Sequence, residues 1–256
     1  MPNKLEKVFQ QQNINLLNVY CTAGFPKIDS TAEVILALQK AGVNMIEVGM
    51  PYSDPIADGE VIQKSNMQAL ENGMTIELLF AQLKKIKSKI DVPLILMGYL
   101  NPVLQFGIEN FCKAAADSGI SGIILPDLPM QEYEQVYKKY FVQNNLSFIF
   151  LITPNTSTER IIKADELSSG FLYAVSSSST TGSNNTNEDK EVYFKKLAIL
   201  KLKNPLMIGF GINDSKTYQT ACKYAAGAII GSAYIKAIAK TSNISKATKA
   251  FIKTIR

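Results

Sequence analysis

Apolar positions along this chain follow two rhythms that alternate from one end to the other. Short runs rich in β-branched and aromatic residues recur eight times: LLNVYCT (16–22), NMIEVG (44–49), VPLILMG (92–98), SGIILPD (121–127), LSFIFLIT (146–153), GFLYAVS (170–176), PLMIGFG (205–211) and AGAIIGS (226–232). Each reads as a strand. Between them lie longer segments with apolar residues at helical spacing, among them TAEVILALQKAG, IELLFAQLKKIKSKI, IENFCKAAADSG and EVYFKKLAILKLK, which read as amphipathic helices.

The runs are apolar almost throughout, the signature of strands buried on both faces in a parallel sheet wrapped by helices. Eight such units in 256 residues predict a closed (β/α)₈ barrel, with one further helix ahead of the first strand, in a single domain over 1–256. No glycine-rich dinucleotide signature follows the first strand. In KAGVNMIEVG, DSGISGIILPD and YAAGAIIG a glycine stands between helix and strand, where it permits a short loop at the helix C-terminus. The markedly polar stretch SSSSTTGSNNTNEDK (176–190) is long for a barrel loop and predicts a lid.

Composition narrows the chemistry. A formal charge of +5 is modest, and the lysines are spread over helical segments such as LKKIKSKI, so no nucleic-acid surface is expected. Lacking both a continuous apolar N-terminal stretch and any run of about 18 apolar residues, the sequence leads us to expect a cytoplasmic protein without membrane contact. Cys21, Cys112 and Cys222 form no close pair, which favours neither a disulfide framework nor a zinc site. There is no histidine, so acid–base work falls to carboxylates, tyrosine, lysine or cysteine, and a metal-free enzyme is expected.

In such barrels the active site forms at the carboxyl ends of the strands. Glu47 sits between Ile46 and Val48 in the second run, and a carboxylate there is costly without a role or a partner. A structural ion pair is the alternative. The loop that follows carries Asp54 and Asp58 and is stiffened by Pro51 and Pro55, so a second carboxylate can return over the barrel mouth, and two carboxylates in different surroundings can divide acid and base roles. The seventh and eighth runs end in GFG and GSA, where loops commonly bind phosphate through backbone N–H groups. Gly211, Gly231 and Ser232 fit that task, or are simply turn glycines and a helix cap. The residues alone give an enzyme acting on a phosphorylated metabolite and leave the reaction open. A sugar-phosphate isomerase or a phosphate-dependent decarboxylase would share this architecture.

The segment IEVGMPYSDPIADG (46–59) resembles the most characteristic stretch of the tryptophan synthase alpha subunit family. YCTAGFP, LMGYLNPV, GIILPDLP, TPNTSTERI, FLYAVS, TTG, GFGI and GSAYIK follow in the family's order over essentially the whole chain. The resemblance implies a lyase that splits indole-3-glycerol phosphate into indole and glyceraldehyde 3-phosphate by a retro-aldol step. Glu47 would be the acid/base at indole C3 and Asp58 the partner of the indole N–H, with Tyr173 beside Glu47. Tyr20, Tyr99, Leu125 and Phe210 would line the indole pocket, with Thr181 near Asp58, and Gly182, Gly211, Gly231 and Ser232 would hold the phosphate. The loop Ser177 to Lys190 would close over the substrate, with Ser179 standing where the family pattern has its first glycine. The resemblance also implies a beta subunit carrying PLP, met in an α₂β₂ assembly through Asp54, Pro55, Asn101 and Pro102, and no cofactor in this chain. A free-standing indole-releasing lyase and a non-catalytic activating subunit are the alternatives.

Overall fold

The eight apolar runs pair side by side in parallel, as their burial on both faces requires. The computed structural model describes residues 2–175, 187–209 and 211–256, with backbone alone for 187–191. Its strands are β1 (Leu16–Thr22), β2 (Met45–Gly49), β3 (Leu94–Met97), β4 (Ile120–Ile124), β5 (Ser147–Phe148), β6 (Leu151–Ile152), β7 (Leu172–Val175), β8 (Leu206–Gly209) and β9 (Gly227–Ile230). The order across the sheet is β5-β4-β3-β2-β1-β9-β8-β7-β6.

The two outermost strands, β5 and β6, are halves of one run in the sequence. LSFIFLIT, expected as a single strand, is split because its neighbours change midway. The Ile149 N–H donates to Ile123 of β4 at 3.0 Å, and Tyr173 of β7 donates to the Phe150 carbonyl at 3.1 Å. In between, the Phe148 and Phe150 N–H groups donate to the Ser169 and Ser168 hydroxyls, each at 3.1 Å. The run thus joins β4 to β7 and closes the sheet into the expected (β/α)₈ barrel.

Side chains pointing to opposite faces along a strand place Leu17, Val19 and Cys21 against the helices and Asn18 and Tyr20 in the barrel. Residues 16 to 22 are all buried. In the register β1 to β2, Asn18 faces Met45, Tyr20 faces Glu47 and Thr22 faces Gly49. Glu47 is therefore flanked by Tyr20 on one side and by Ile95 of β3 on the other.

Gly42 and Gly119 adopt left-handed φ values of 86°, as expected of helix-ending glycines. Gly227 does not. The helix Ser215–Cys222 ends earlier, Gly227 opens β9, and a Cβ there would collide with the backbone carbonyl of Leu16. Close strand approach, not turn geometry, requires glycine at that position.

The N-terminal helix Lys4–Gln11 carries a capping box between Asn3 and Glu6 and lies across the N-terminal end of the barrel. Leu5 is fully buried in space left by Gly122 and Gly170, where a Cβ would come within 3.1 and 2.8 Å of the leucine Cδ2. The Asn3 carboxamide donates to Ser121 and Asn145 carbonyls and to the Ser147 hydroxyl at 3.0, 3.2 and 2.9 Å. Among the described residues no helix is long and apolar enough to cross a membrane.

Candidate active site

At the opposite end, where the strands finish, a cavity of about 590 Å³ is walled by Tyr20, Glu47, Asp58, Tyr173, Gly211 and Gly231, with Ser232 and Lys236 on its rim. The barrel supplies the floor and the loops supply the sides. Glu47 comes from the middle of β2 and is 1% exposed. Its Oε2 accepts a hydrogen bond from the Asn18 Nδ2 at 3.1 Å. Burial is the main reason its pKa is pushed up to about 8. The Asn18 bond pulls it down, and the nearby Asp58 adds a further push upward.

Asp58 reaches the cavity from the loop between β2 and the helix Glu60–Glu71. A Tyr99 hydroxyl anchors that loop by accepting the Ala57 N–H at 3.0 Å, and the Tyr52 and Tyr99 rings meet at 5.2 Å. Burial pushes the Asp58 carboxyl up to about 6, opposed by hydrogen bonds from Tyr99 and Asn66, the latter a long 3.4 Å. Glu47 stays protonated to a higher pH than Asp58. The two carboxyls are separated in proton affinity by depth, as a division of labour between acid and anion requires.

Tyr20 and Tyr173 occupy matching places on β1 and β7. A Cβ at Gly49 would collide with the Tyr20 hydroxyl, and one at Gly209 with the Tyr173 hydroxyl. Each tyrosine leans over the glycine of the next strand, so its ring covers backbone instead of pointing straight up. Burial first, then the two carboxyls, hold both phenols protonated well above their ordinary range. They can donate hydrogen bonds and do not act as bases at neutral pH.

The expected phosphate residues Gly211, Gly231 and Ser232 all line the cavity. Gly211 takes a left-handed φ of 73°, which favours glycine. Lys236, one helical turn beyond Ser232 in the helix Ser232–Ile238, supplies a positive charge to the cavity wall. Thr181, Gly182 and Phe210 lie outside the described residues, as do 177–186 of the loop expected over 177–190, whose last four residues instead begin the helix Asn187–Ile199. Leu125, expected in the indole pocket, is buried in the core just past β4 and is not on the cavity wall, whereas Met97, Ile62 and Ile229 are.

Of the positions expected at a partner surface, Asp54 and Asn101 are exposed, Pro102 is half-buried and Pro55 is buried. Ile56 and Leu104, exposed by 75% and 43%, stand beside them. Asn18, Asn66 and Lys236 stand at the site without having been expected there. Asn18 carries a readable signal, a carboxamide inside an otherwise apolar strand, whereas Asn66 is one polar residue among many on its helix.

Comparison with known proteins gives the family. The family model for the tryptophan synthase alpha chain matches residues 7–255. The chain is 50% identical to the tryptophan synthase alpha chain of Christiangramia forsetii over 96% of its own length and 97% of that protein. For the protein of Flavobacterium psychrophilum the identity is 51%, covering 92% and 94% of the two chains. The solved structure of tryptophan synthase subunit alpha from Legionella pneumophila superposes with a TM-score of 0.90 at 28% identity, covering 100% of this chain and 97% of that one. With a family match over nearly its whole length and relatives about 50% identical over more than nine-tenths of it, the chain belongs to the tryptophan synthase alpha chain family.

Proposed function

We propose that Glu47 and Asp58 carry the reaction of this family, the cleavage of indole-3-glycerol phosphate into indole and glyceraldehyde 3-phosphate. The observation that supports it most is a buried carboxyl with its pKa near 8 facing a shallower one near 6 in a single cavity. At neutral pH Glu47 is mostly the acid and Asp58 mostly the anion.

In this reading the neutral Glu47 carboxyl delivers its proton to indole C3. Asp58 accepts the indole N–H and stabilises the cation that results. The Glu47 carboxylate then takes the proton of the glycerol hydroxyl next to the ring. As that O–H electron pair becomes the aldehyde carbonyl, the carbon–carbon bond breaks and its electrons restore the indole ring. Glu47 ends as it began, protonated. Tyr173 and Tyr20 bound the space for the ring, and Gly211, Gly231, Ser232 and the Lys236 charge receive the phosphate.

The exposed Ile56 and Leu104 beside Asp54 and Asn101 support docking of a beta subunit carrying PLP at this face. Pro55, buried, would act by shaping the loop.

The test is indole release from indole-3-glycerol phosphate, with and without a beta subunit, for the chain and for Glu47→Gln and Asp58→Asn. General acid–base catalysis is worth about 10²- to 10⁴-fold, so each variant is expected to lose at least about 100-fold in kcat. The pH profile should rise as Asp58 ionises, near 6, and fall as Glu47 loses its proton, near 8, the pair titrating with macroscopic values. Full activity in either variant overturns the assignment of that residue.

A further inference from the structure

We propose that Asn18 is a positioning residue for Glu47, its carboxamide fixing the direction of the catalytic carboxyl and serving it both with and without its proton. The inference rests on the acid–base reading of Glu47. Asn18 is fully buried on β1 and lies one inward-facing position below Tyr20, between Met45 of β2 and Ile229 of β9. Both of those neighbours are apolar, so the carboxamide has no structural call to be polar there. Among the described residues its one side-chain hydrogen bond runs from Nδ2 to Glu47 Oε2 at 3.1 Å.

The other end of the carboxamide is the telling part. Among the described residues the buried Asn18 Oδ1 has no hydrogen-bond partner. A buried acceptor left unpaired is costly and calls for an explanation. Glu47 provides one, because during the reaction it alternates between carboxylate and carboxylic acid. The carboxylate only accepts, and Nδ2–H meets it. The acid also donates, and a half-turn of the carboxamide brings Oδ1 to face its O–H. Lysine or arginine at this place would hold Glu47 ionised and a second carboxyl would hold it protonated, whereas a carboxamide can pair with either form.

The groups that bear on Glu47 come from three sides. Asp58 acts from the loop ahead of the helix Glu60–Glu71, Tyr20 and Cys21 from β1, and Tyr173 from β7, while β3 presents the apolar Ile95. None of these is a cation, so among the described residues the Asn18 N–H is the interaction that favours the charged form of Glu47. Removing it must raise the proton affinity of Glu47. The alkaline limb of the activity profile then moves up, because Glu47 keeps its starting proton to higher pH, while return of the hydroxyl proton to a misdirected carboxylate slows.

The experiment compares Asn18→Leu and Asn18→Asp, both close in size to asparagine, with the unaltered chain. It reads kcat and KM against pH for indole release and the ¹³C titration of the Glu47 carboxyl, assigned with Glu47→Gln. In Asn18→Leu the Glu47 midpoint should rise by about one unit and kcat should fall about 10- to 100-fold, the scale of a misplaced catalytic group, with KM little changed. In Asn18→Asp the midpoint should rise further, since a second carboxyl opposes ionisation of the first. An unchanged midpoint and unchanged kcat in the folded variants, or a loss confined to KM, overturns the proposal. If the leucine variant does not fold, the aspartate variant decides alone. Full activity in Glu47→Gln would sink the acid–base reading itself, and the carboxyl titration would still decide whether Asn18 governs Glu47.

Discussion

The two ends of the barrel are built from the same strands and finished in opposite ways. At the N-terminal end Leu5 fills the space above Gly122 and Gly170, Asn3 gives its N–H groups to three acceptors, and Arg256 ties Asn15, Gly42 and Asn44 together. At the C-terminal end a cavity stays open, two carboxyls sit where burial raises their proton affinity, and two neighbouring carboxamides, Asn18 and Asn66, each keep an oxygen unpaired among the described residues. One end spends its polar groups on itself and the other keeps them for a substrate. In a barrel enzyme that is the expected division between stability and chemistry.

Glu47→Gln should break the comparison most sharply, because it removes chemistry and a cost of folding together. The folded pKa of Glu47, about 8 against an ordinary 4.5, means the folded state holds this proton more tightly than the unfolded chain. Stability is therefore unaffected below the ordinary value and falls as pH rises from there towards 8. Glutamine carries no charge and escapes that loss. Alongside a kcat lower by about 10²- to 10⁴-fold, the variant should be more stable than the parent at pH 9 by on the order of a few kcal/mol, and about equal to it at pH 4. Urea unfolding at both pH values measures this. An equal stability at pH 9 would mean that folding does not raise the Glu47 pKa.

Leu5→Ala should do the reverse at the other end. Loss of a fully buried leucine costs about 2 to 5 kcal/mol through lost transfer energy and the cavity left behind. The site lies across the barrel, so kcat measured well below the unfolding transition should stay close to that of the parent. A large fall in kcat of a fully folded Leu5→Ala protein would show that the two ends are coupled.

The barrel was legible because short, continuously apolar runs alternate with segments of helical spacing along the chain, and because strands buried on both faces leave little choice of sheet. The carboxylate Glu47 was legible for the same reason, standing out in MIEVG as a charge where only apolar residues belong. What escaped depended on long-range placement. Splitting of LSFIFLIT into β5 and β6 follows from which neighbours stand on each side, and Gly227 is glycine because Leu16, far away in sequence, passes over it. Asn66 on its helix looks like any exposed polar residue until the Asp58 loop folds onto it. Leu125, at the end of a strand like the wall residues, faces the core, a matter of one position in the alternation.

The smallest effect belongs to Arg256, and its character is more informative than its size. The guanidinium donates to the Asn15 carbonyl at 2.7 Å, to Asn44 Oδ1 at 2.6 Å, and to the Gly42 carbonyl and Tyr218 hydroxyl at 3.2 Å each. Every acceptor is neutral. The residue is exposed, so water replaces much of what is lost, and Arg256→Ala should cost about 1 kcal/mol. Because no carboxylate among the described residues takes part, that cost should hardly change between low and high salt, unlike that of an ion pair. Lysine keeps the charge but not the planar fork that reaches several acceptors at once, so Arg256→Lys should lose most of the same stability. If lysine restored the parent's stability, or if salt abolished the difference, the charge and not the geometry of the fork would be closing this end of the barrel.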